Sequence, residues 1–322
     1  MKNEVTIIMY HFVRDLARSR YPEIKGLDLE LFNHQLLYLL KHYNIIRMED
    51  LISAFETQTE LPSHAALLTF DDAYIDQYSN VFPLLSKYHI QGSFYPPVKA
   101  ITDHVVLDVN KIHFVLASVE NKALLVDEIF ELLDHYRANY ELGSKAFYYN
   151  KLAKKNRMDS KEIILIKRLL QAELPESLRL KIIHELFNKY VSNDEASFAQ
   201  ELYMSETQIE HMQSCGMHIG SHGHNHYWLS KLSRSEQENE IDQSLRFLDR
   251  IGGNRNEWTL CYPYGDYNSD LISLLERRGC KLALTTRVDI ANIENDTRYT
   301  LPRLDTNDIP KNKNAQPNDW YR

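Results

Sequence analysis

The sequence predicts an α/β protein built on a largely parallel sheet or barrel and interrupted by a helical block. Three observations carry that expectation. Short β-branched or apolar runs alternate with longer helical patterns. Residues capable of chemistry repeatedly follow the predicted strands, where catalytic groups of barrels and parallel sheets gather. From about Asp108 to Met204 the pattern turns to long, charged amphipathic helices with almost no strand signal. The expected division is therefore 1–104 with 205–322 for the α/β part, and 105–204 for a helical insertion.

The first strand falls at 6–10 and leads into His11. Phe32, Leu36, Leu39 and Leu40 recur at helical spacing, and a short strand follows at Ile45 and Ile46. Residues 65–70 form a continuous apolar strand running straight into Asp71 and Asp72. A helix through Val81, Leu84 and Leu85 precedes a strand at 93–95, which Pro96 and Pro97 stop because proline offers no ladder donor. After the helical block, a strand at 217–220 ends on Ser221 and His222. Ser233 or Ser235, each with Glu three residues on, caps the next helix, whose inner stripe is Ile241, Leu245 and Leu248 and whose stop is Gly252–Gly253. Strands at 258–262 and 282–285 complete the expected core, and the polar tail after Asn307 reads as loosely ordered.

Composition narrows the function classes. With 43% hydrophobic and 25% charged residues the chain can bury a full core, and a net charge of -8 argues against gripping phosphate backbones, so nucleic acid is not an expected partner. No run approaches the roughly 20 apolar residues of a transmembrane helix. No basic leader accompanies the first strand, so no export signal is expected. Cys215, Cys261 and Cys280 are widely spaced and odd in number, which suggests neither a disulfide framework nor a zinc finger and fits a reducing cytoplasm. H-E-x-x-H, G-x-S-x-G, G-x-x-x-x-G-K and P-C-x-x-C are all absent.

What remains is a set of acids and imidazoles at strand ends. An apolar strand that delivers Asp71 and Asp72 to a partly buried rim lets one carboxylate bind a cation and the other titrate. His222 and His226, with three residues between them, would project from one face of a helical turn and could close on one metal. With a strand-borne Asp they would make a two-His, one-carboxylate site with open positions. Such a site suits amide hydrolysis, which needs an activated water, a proton acceptor, an oxyanion donor and an acid for the departing amine.

Thr69-Phe70-Asp71-Asp72, Ser221-His222-Gly223-His224-Asn225-His226 and Tyr262-Pro263-Tyr264-Gly265 resemble, in order, the signature motifs of the polysaccharide deacetylases of the nodulation type. The resemblance covers roughly 4–100 and 205–305. It implies a distorted (β/α)7-type barrel with Asp71 as base, Asp72, His222 and His226 as metal ligands, and the Tyr264 backbone N–H at the oxyanion. Cys261 replaces the usual Arg before the Pro-Tyr pair, and no late Leu-x-His supplies an acid. Met9-Tyr10-His11 resembles the opening of the rearranged branch that includes biofilm poly-N-acetylglucosamine deacetylases, which implies His11 as the acid. Leu301-Pro302-Arg303 resembles the segment whose Arg orients the catalytic carboxylate; read without the family, Arg303 is an ordinary surface ion-pair residue. Ala73 stands where Gly often follows the Asp pair and would be strained at positive φ.

The expected protein is thus a cytoplasmic hydrolase holding one divalent ion, zinc first, with cobalt, nickel or iron also suited to this donor set. Its expected partner is an acetylated amino sugar or glycan. Two other readings stay open: a non-catalytic sugar-binding or scaffold protein on the same barrel, and a related O-acetyl esterase or deformylase.

Overall fold

Val5, Ile7 and Ile8 are fully buried, and every residue of Ala65–Asp71 is buried. Runs buried on both faces belong to central parallel strands. The computed structural model describes residues 3–155 and 159–321. It pairs β1 (Glu4–Tyr10) in parallel with β2 (Ala65–Asp71) over six residues, from Val5–Ala65 to Tyr10–Phe70. β3 (Ser93–Tyr95) joins the other side of β2 with Tyr95 level with Asp71, and β4 (His218–Ile219) joins β3. β5 (Leu260–Cys261) and β6 (Ala283–Leu284) form a separate parallel pair. β7 (Leu304–Asp305) returns in parallel to β1, Ile8 facing Leu304. The class is α/β; the regular ladders make one seven-stranded sheet and two two-stranded ones and do not by themselves close a barrel.

The expected strands at 217–220, 258–262 and 282–285 are cut to two residues each. The last is not the final strand, because Ala291–Asn292 and β7 follow, both on β1. Val13–Arg14 and Leu27–Asp28 form a further parallel pair that no run of apolar residues signalled. The helix expected around Val81 begins as a π-type turn, Gln77–Val81, before Phe82–Lys87. Ser233, not Ser235, caps the helix Arg234–Arg250: its hydroxyl accepts from Glu236 N–H while Glu236 accepts from Ser233 N–H, a complete capping box. The tail beyond Asn307 is irregular but pinned. Gln35 donates to the carbonyls of Thr306 and Ile309, Ile309 is buried, and Tyr321 stacks on His64 at 4.2 Å.

The chain divides into two compact units. One comprises 1–15, 26–105 and 199–322 and contains every strand of the main sheet. The other comprises 16–25 and 106–198, so a ten-residue strap from early in the chain accompanies the helical block. In that unit Leu125, Ile129 and Leu133 recur on one helix and Leu178, Ile182, Leu186 and Phe187 on another, all buried, the spacing of inner helix faces. Among the described residues no helix is long and apolar enough to cross a membrane.

One contact fixes how closely β3, β4 and β5 approach. A Cβ on Gly220 would lie 2.8 Å from the Thr259 hydroxyl and closer still to the Tyr95 ring. Gly220→Ala is therefore expected to cost about 1–3 kcal/mol by overpacking, read as a lower urea midpoint at unchanged slope. An unchanged midpoint would mean that the Tyr95 ring yields freely.

Candidate metal centre

β2 delivers two acids to one strand end, and the backbone then separates them. Asp71 is the last strand residue, whereas Asp72 and Ala73 take φ of 71° and 53°. Left-handed backbone costs a non-glycine residue about 1–2 kcal/mol. Here it is held by Asp72 N–H donating to Tyr95 O at 3.1 Å and Met204 N–H donating to Ala73 O at 2.8 Å. Both carboxylates are buried, at 2% and 5% exposure, so each must find its own partner.

Asp71 finds Arg303. The guanidinium donates to Oδ1 at 2.9 Å and Oδ2 at 2.8 Å, a bidentate pair, and also to Thr69 Oγ1 at 3.1 Å and Thr285 O at 2.8 Å. Arg303 is 1% exposed, so the expectation of a surface ion pair gives way to a buried one. The Cys261 thiol donates to Asp71 Oδ2 at 3.4 Å, and His11 Nε2 stands 3.9 Å from the same oxygen. Burial raises the Asp71 pKa, but the charges of Arg303, His222 and His11 and the Arg303 hydrogen bonds outweigh it and hold it at about 2. The His11 side chain is 41% exposed, so one of its neighbours is a buried carboxylate and another is solvent.

Asp72 faces the imidazoles. Its Oδ1 lies 3.4 Å from both His222 Nε2 and His226 Nε2, while Oδ2 accepts from Tyr74 O–H at 2.7 Å. His222 Nδ1 sits 2.7 Å from Cys261 O. Only an N–H satisfies that contact, so neutral His222 points a bare lone pair at Asp72. Asp72 Oδ1 and His226 Nδ1 are buried without a hydrogen-bond partner in the protein. Burial disfavours an imidazolium at His222, yet its interaction with Asp72 and the charge of Asp71 raise its pKa. At His226 burial wins over Asp72, and the pKa falls to about 4.

Three potential ligand atoms, one each from Asp72, His222 and His226, thus converge within 4.8 Å of one another. Ligand atoms bound about 2.0–2.1 Å from a tetrahedral ion stand about 3.3–3.4 Å apart. The two Oδ1–Nε2 separations of 3.4 Å match that edge, so this buried group could hold a metal.

The two histidines do not lie on a helical turn, contrary to the sequence expectation. The segment is a loop in which Gly223 and His226 take φ of 73° and 59°. What shapes it was not read from sequence. Glu240, 2% exposed on Arg234–Arg250, accepts from the N–H groups of His224 and Asn225 at 2.9 Å each and from the Asn225 side chain. Glu240 lies in a charged run, which reads as a solvated face; the signal available was that Gln237, Glu240 and Ser244 share the helical stripe of Ile241 and Leu245. Gln77 was missed as well: buried, it donates to the carbonyls of Asp71 at 2.5 Å and His11 at 3.3 Å, clipping two strand ends together.

Tyr264 comes to the same place. Its ring lies 4.8 Å edge-on to His226 and stacks on Trp228 at 4.5 Å, and its φ is 59°. Asp71, Asp72, His11, His222, His226, Tyr264 and Arg303, drawn from five strand ends, are therefore joined by one continuous set of contacts.

Removing Arg303 tests how the pair is balanced. Arg303→Met leaves a buried carboxylate unpaired and is expected to cost about 3–5 kcal/mol, part of which Asp71→Asn in the same background should restore by urea unfolding. The depressed Asp71 pKa stabilises the fold above the unfolded value of about 3.9. That contribution fades as pH falls towards the folded value of about 2. An acid transition that is the same in Asp71→Asn would contradict it.

Known proteins are similar to parts of this chain in sequence and to most of it in fold. The polysaccharide deacetylase family model matches residues 185–283, which include His222, His226 and Tyr264 but neither Asp71 nor Asp72. A Bacillus subtilis (strain 168) protein, YxkH, assigned by name to the polysaccharide deacetylases, is 26% identical over 108 residues. That match takes in 34% of this chain and 38% of YxkH. In fold the chain is similar to the Streptococcus pyogenes deacetylase PplD, solved in complex with acetate (18% identity, 95% of this chain and 93% of that one, TM-score 0.57). It is also similar to IcaB from Ammonifex degensii (16% identity, 94% and 91%, TM-score 0.55). The deacetylase domain of BpsB from Bordetella bronchiseptica is a third such structure (16% identity, 94% and 95%, TM-score 0.53). The chain is therefore similar to the polysaccharide deacetylases over part of its sequence, and to these solved structures in fold.

Proposed function

We propose that this chain is a metal-dependent hydrolase that removes the N-acetyl group of an amino sugar, within a glycan or a glycan precursor. The observation that carries the reading is the division between two adjacent buried carboxylates: Asp71 is matched to a guanidinium, and Asp72 to two imidazole Nε2 atoms. The relationship to polysaccharide deacetylases and the naming of PplD as a deacetylase bound to acetate support the same chemistry.

On this reading Asp72, His222 and His226 hold one divalent ion, zinc first, with cobalt, nickel or iron also suited to two imidazoles and a carboxylate. Bound there, the ion supplies Lewis-acid polarisation of the amide carbonyl and lowers the pKa of water. Asp71, whose ionised form Arg303 favours, accepts the proton of the attacking water. Arg303 fixes that carboxylate with both oxygens, so its orientation needs no reorganisation. The Tyr264 N–H steadies the oxyanion, a role supported by the left-handed backbone there and by the ring locked between His226 and Trp228. His11 protonates the departing amine; its half-exposed ring beside Asp71 supports a place at the mouth of the site.

The same proposal takes the strands as a distorted seven-stranded barrel. Single parallel bridges, Ser221–Leu260 and Leu284–Leu301, support it by linking β4 to β5 and β6 to the segment that enters β7. The site is assigned to 1–104 with 205–322, with 105–204 as an insertion. A cytoplasmic location is supported by the unpaired Cys215, Cys261 and Cys280, and a glycan rather than nucleic acid by the charge of -8.

Purified protein should release acetate from acetylated chitooligosaccharides or from a nucleotide-linked acetylated amino sugar. Asp71→Asn is expected to lose about 10²–10⁴-fold in rate while still binding zinc, and His222→Ala to lose both turnover and metal. Full activity in either variant would end the mechanism. Release of acetate only from O-acetyl esters, or of formate only from formyl amides, would reassign the acyl group.

A further inference from the structure

The loop that carries both histidines is clamped on its two backbone sides. Its N–H groups point one way: those of His224 and Asn225 donate to Glu240 Oε2 at 2.9 Å each, and that of Gly223 donates to Ser221 Oγ at 3.2 Å. Its carbonyls point another: Gly223 O accepts from Val98 N–H at 3.3 Å and His224 O from Lys99 N–H at 3.0 Å. One helix holds both shoulders, since Ser221 Oγ donates to Ser244 Oγ at 2.8 Å, four residues beyond Glu240. A buried carboxylate that accepts two backbone N–H groups and a side-chain amide is a strong, directional anchor.

The conformation that this anchor holds carries a backbone cost. Gly223 and His226 both sit in left-handed backbone, and for His226 that carries a steric cost. A Cβ on Gly223 would stand 3.3 Å from Glu240 Oε2, so the loop and the carboxylate are fitted to one another at that residue. The consequence is the position of the imidazoles. His222 precedes the clamped residues and His226 follows them, and their rings stand 4.8 Å apart at 70° with both Nε2 atoms 3.4 Å from Asp72 Oδ1.

We infer that Glu240 is a positioning residue that pre-forms the metal-binding loop, setting the spacing of His222 and His226 before an ion arrives. It touches neither the ligand atoms nor the reacting groups. Its effect is on affinity: with the clamp in place, binding an ion need not first order five residues of chain. This inference rests on the metal-site reading proposed above.

The test compares wild type, Glu240→Gln and Asn225→Ala as metal-free full-length protein, with zinc affinity from chelator competition and melting temperature measured side by side. Glu240→Gln removes the charge and replaces one of two accepting oxygens with a donor. It is expected to weaken zinc binding by about 10–100-fold, the usual effect of losing a ligand's supporting partner. Saturating zinc should then restore kcat with KM unchanged. Asn225→Ala, which removes only the Oε1 contact, should weaken zinc binding in the same direction by less, and it decides the matter if Glu240→Gln does not fold. A carboxylate that merely stabilised the fold would lower the melting temperature and leave zinc affinity alone. Zinc affinity unchanged in the folded variants would overturn the inference, whereas wild-type protein that binds no zinc would instead remove the metal-site reading beneath it.

Discussion

Two carboxylates adjacent in sequence and both buried can coexist only if each meets its own positive or cation-binding partner. The effective cost of burying an uncompensated ion is several kcal/mol, and two like charges side by side add to it. Strand geometry alone helps, because successive side chains leave opposite faces. The turn to left-handed backbone at Asp72 then carries the second acid away from the ladder towards His222 and His226, while Asp71 stays in register with Tyr95 and meets Arg303. Most of the remaining architecture can be understood as what brings those two partners to one strand end.

The partners come from distant parts of the chain: the histidines follow the ends of parallel strands, whereas Arg303 is the residue just before β7. β1 lies between β2 and β7, with Tyr10 level with Phe70 and Met9 level with Asp305. His11 therefore emerges beside Asp71, and Arg303, 232 residues further on, arrives from the opposite side of β1. Gln77 ties the His11 and Asp71 carbonyls across the gap where the β1–β2 ladder ends. Cys261, also at the end of a strand, fills the remaining face of the Asp71 carboxylate with a weak neutral donor. That contact adds a hydrogen bond without adding charge.

The α/β class and the strand-end residues were legible because both depend on local pattern: apolar runs of strand length, each followed by a residue able to do chemistry. What local pattern could not carry was anything set by pairing across the fold. Arg303 reads as an ordinary surface residue until β7 is placed on β1, and β7 itself is two residues long, too short for any periodicity. Val13–Arg14 and Leu27–Asp28 fail for the same reason. Glu240 was hidden by a different cause. A helix stripe is recognised by its apolar members, and Gln237, Glu240 and Ser244 occupy buried positions of that stripe with polar groups that only the loops beyond the helix explain. The H-x-x-x-H spacing pointed to two residues that do converge, but through the wrong geometry, since the rings meet across a loop.

The distribution of left-handed residues shows how the chain reconciles folding with chemistry. Of the eight described non-glycine residues at positive φ, four, Asp72, Ala73, His226 and Tyr264, lie in or beside the candidate site. Glycine would relieve the strain at each. At 72, 226 and 264 glycine would also remove the carboxylate, the imidazole and the ring through which the site is joined, so the strain is the consequence of needing both a side chain and a sharp turn at one position. At 223, where no side chain is used, glycine is present. Ala73 has no polar group to offer. Its methyl is fully buried and its carbonyl accepts from Met204 N–H, so packing and one hydrogen bond offset its strain where chemistry does not. Strain of about 1–2 kcal/mol per residue persists because Glu240, Tyr95 and Met204 each hold a strained turn from outside it.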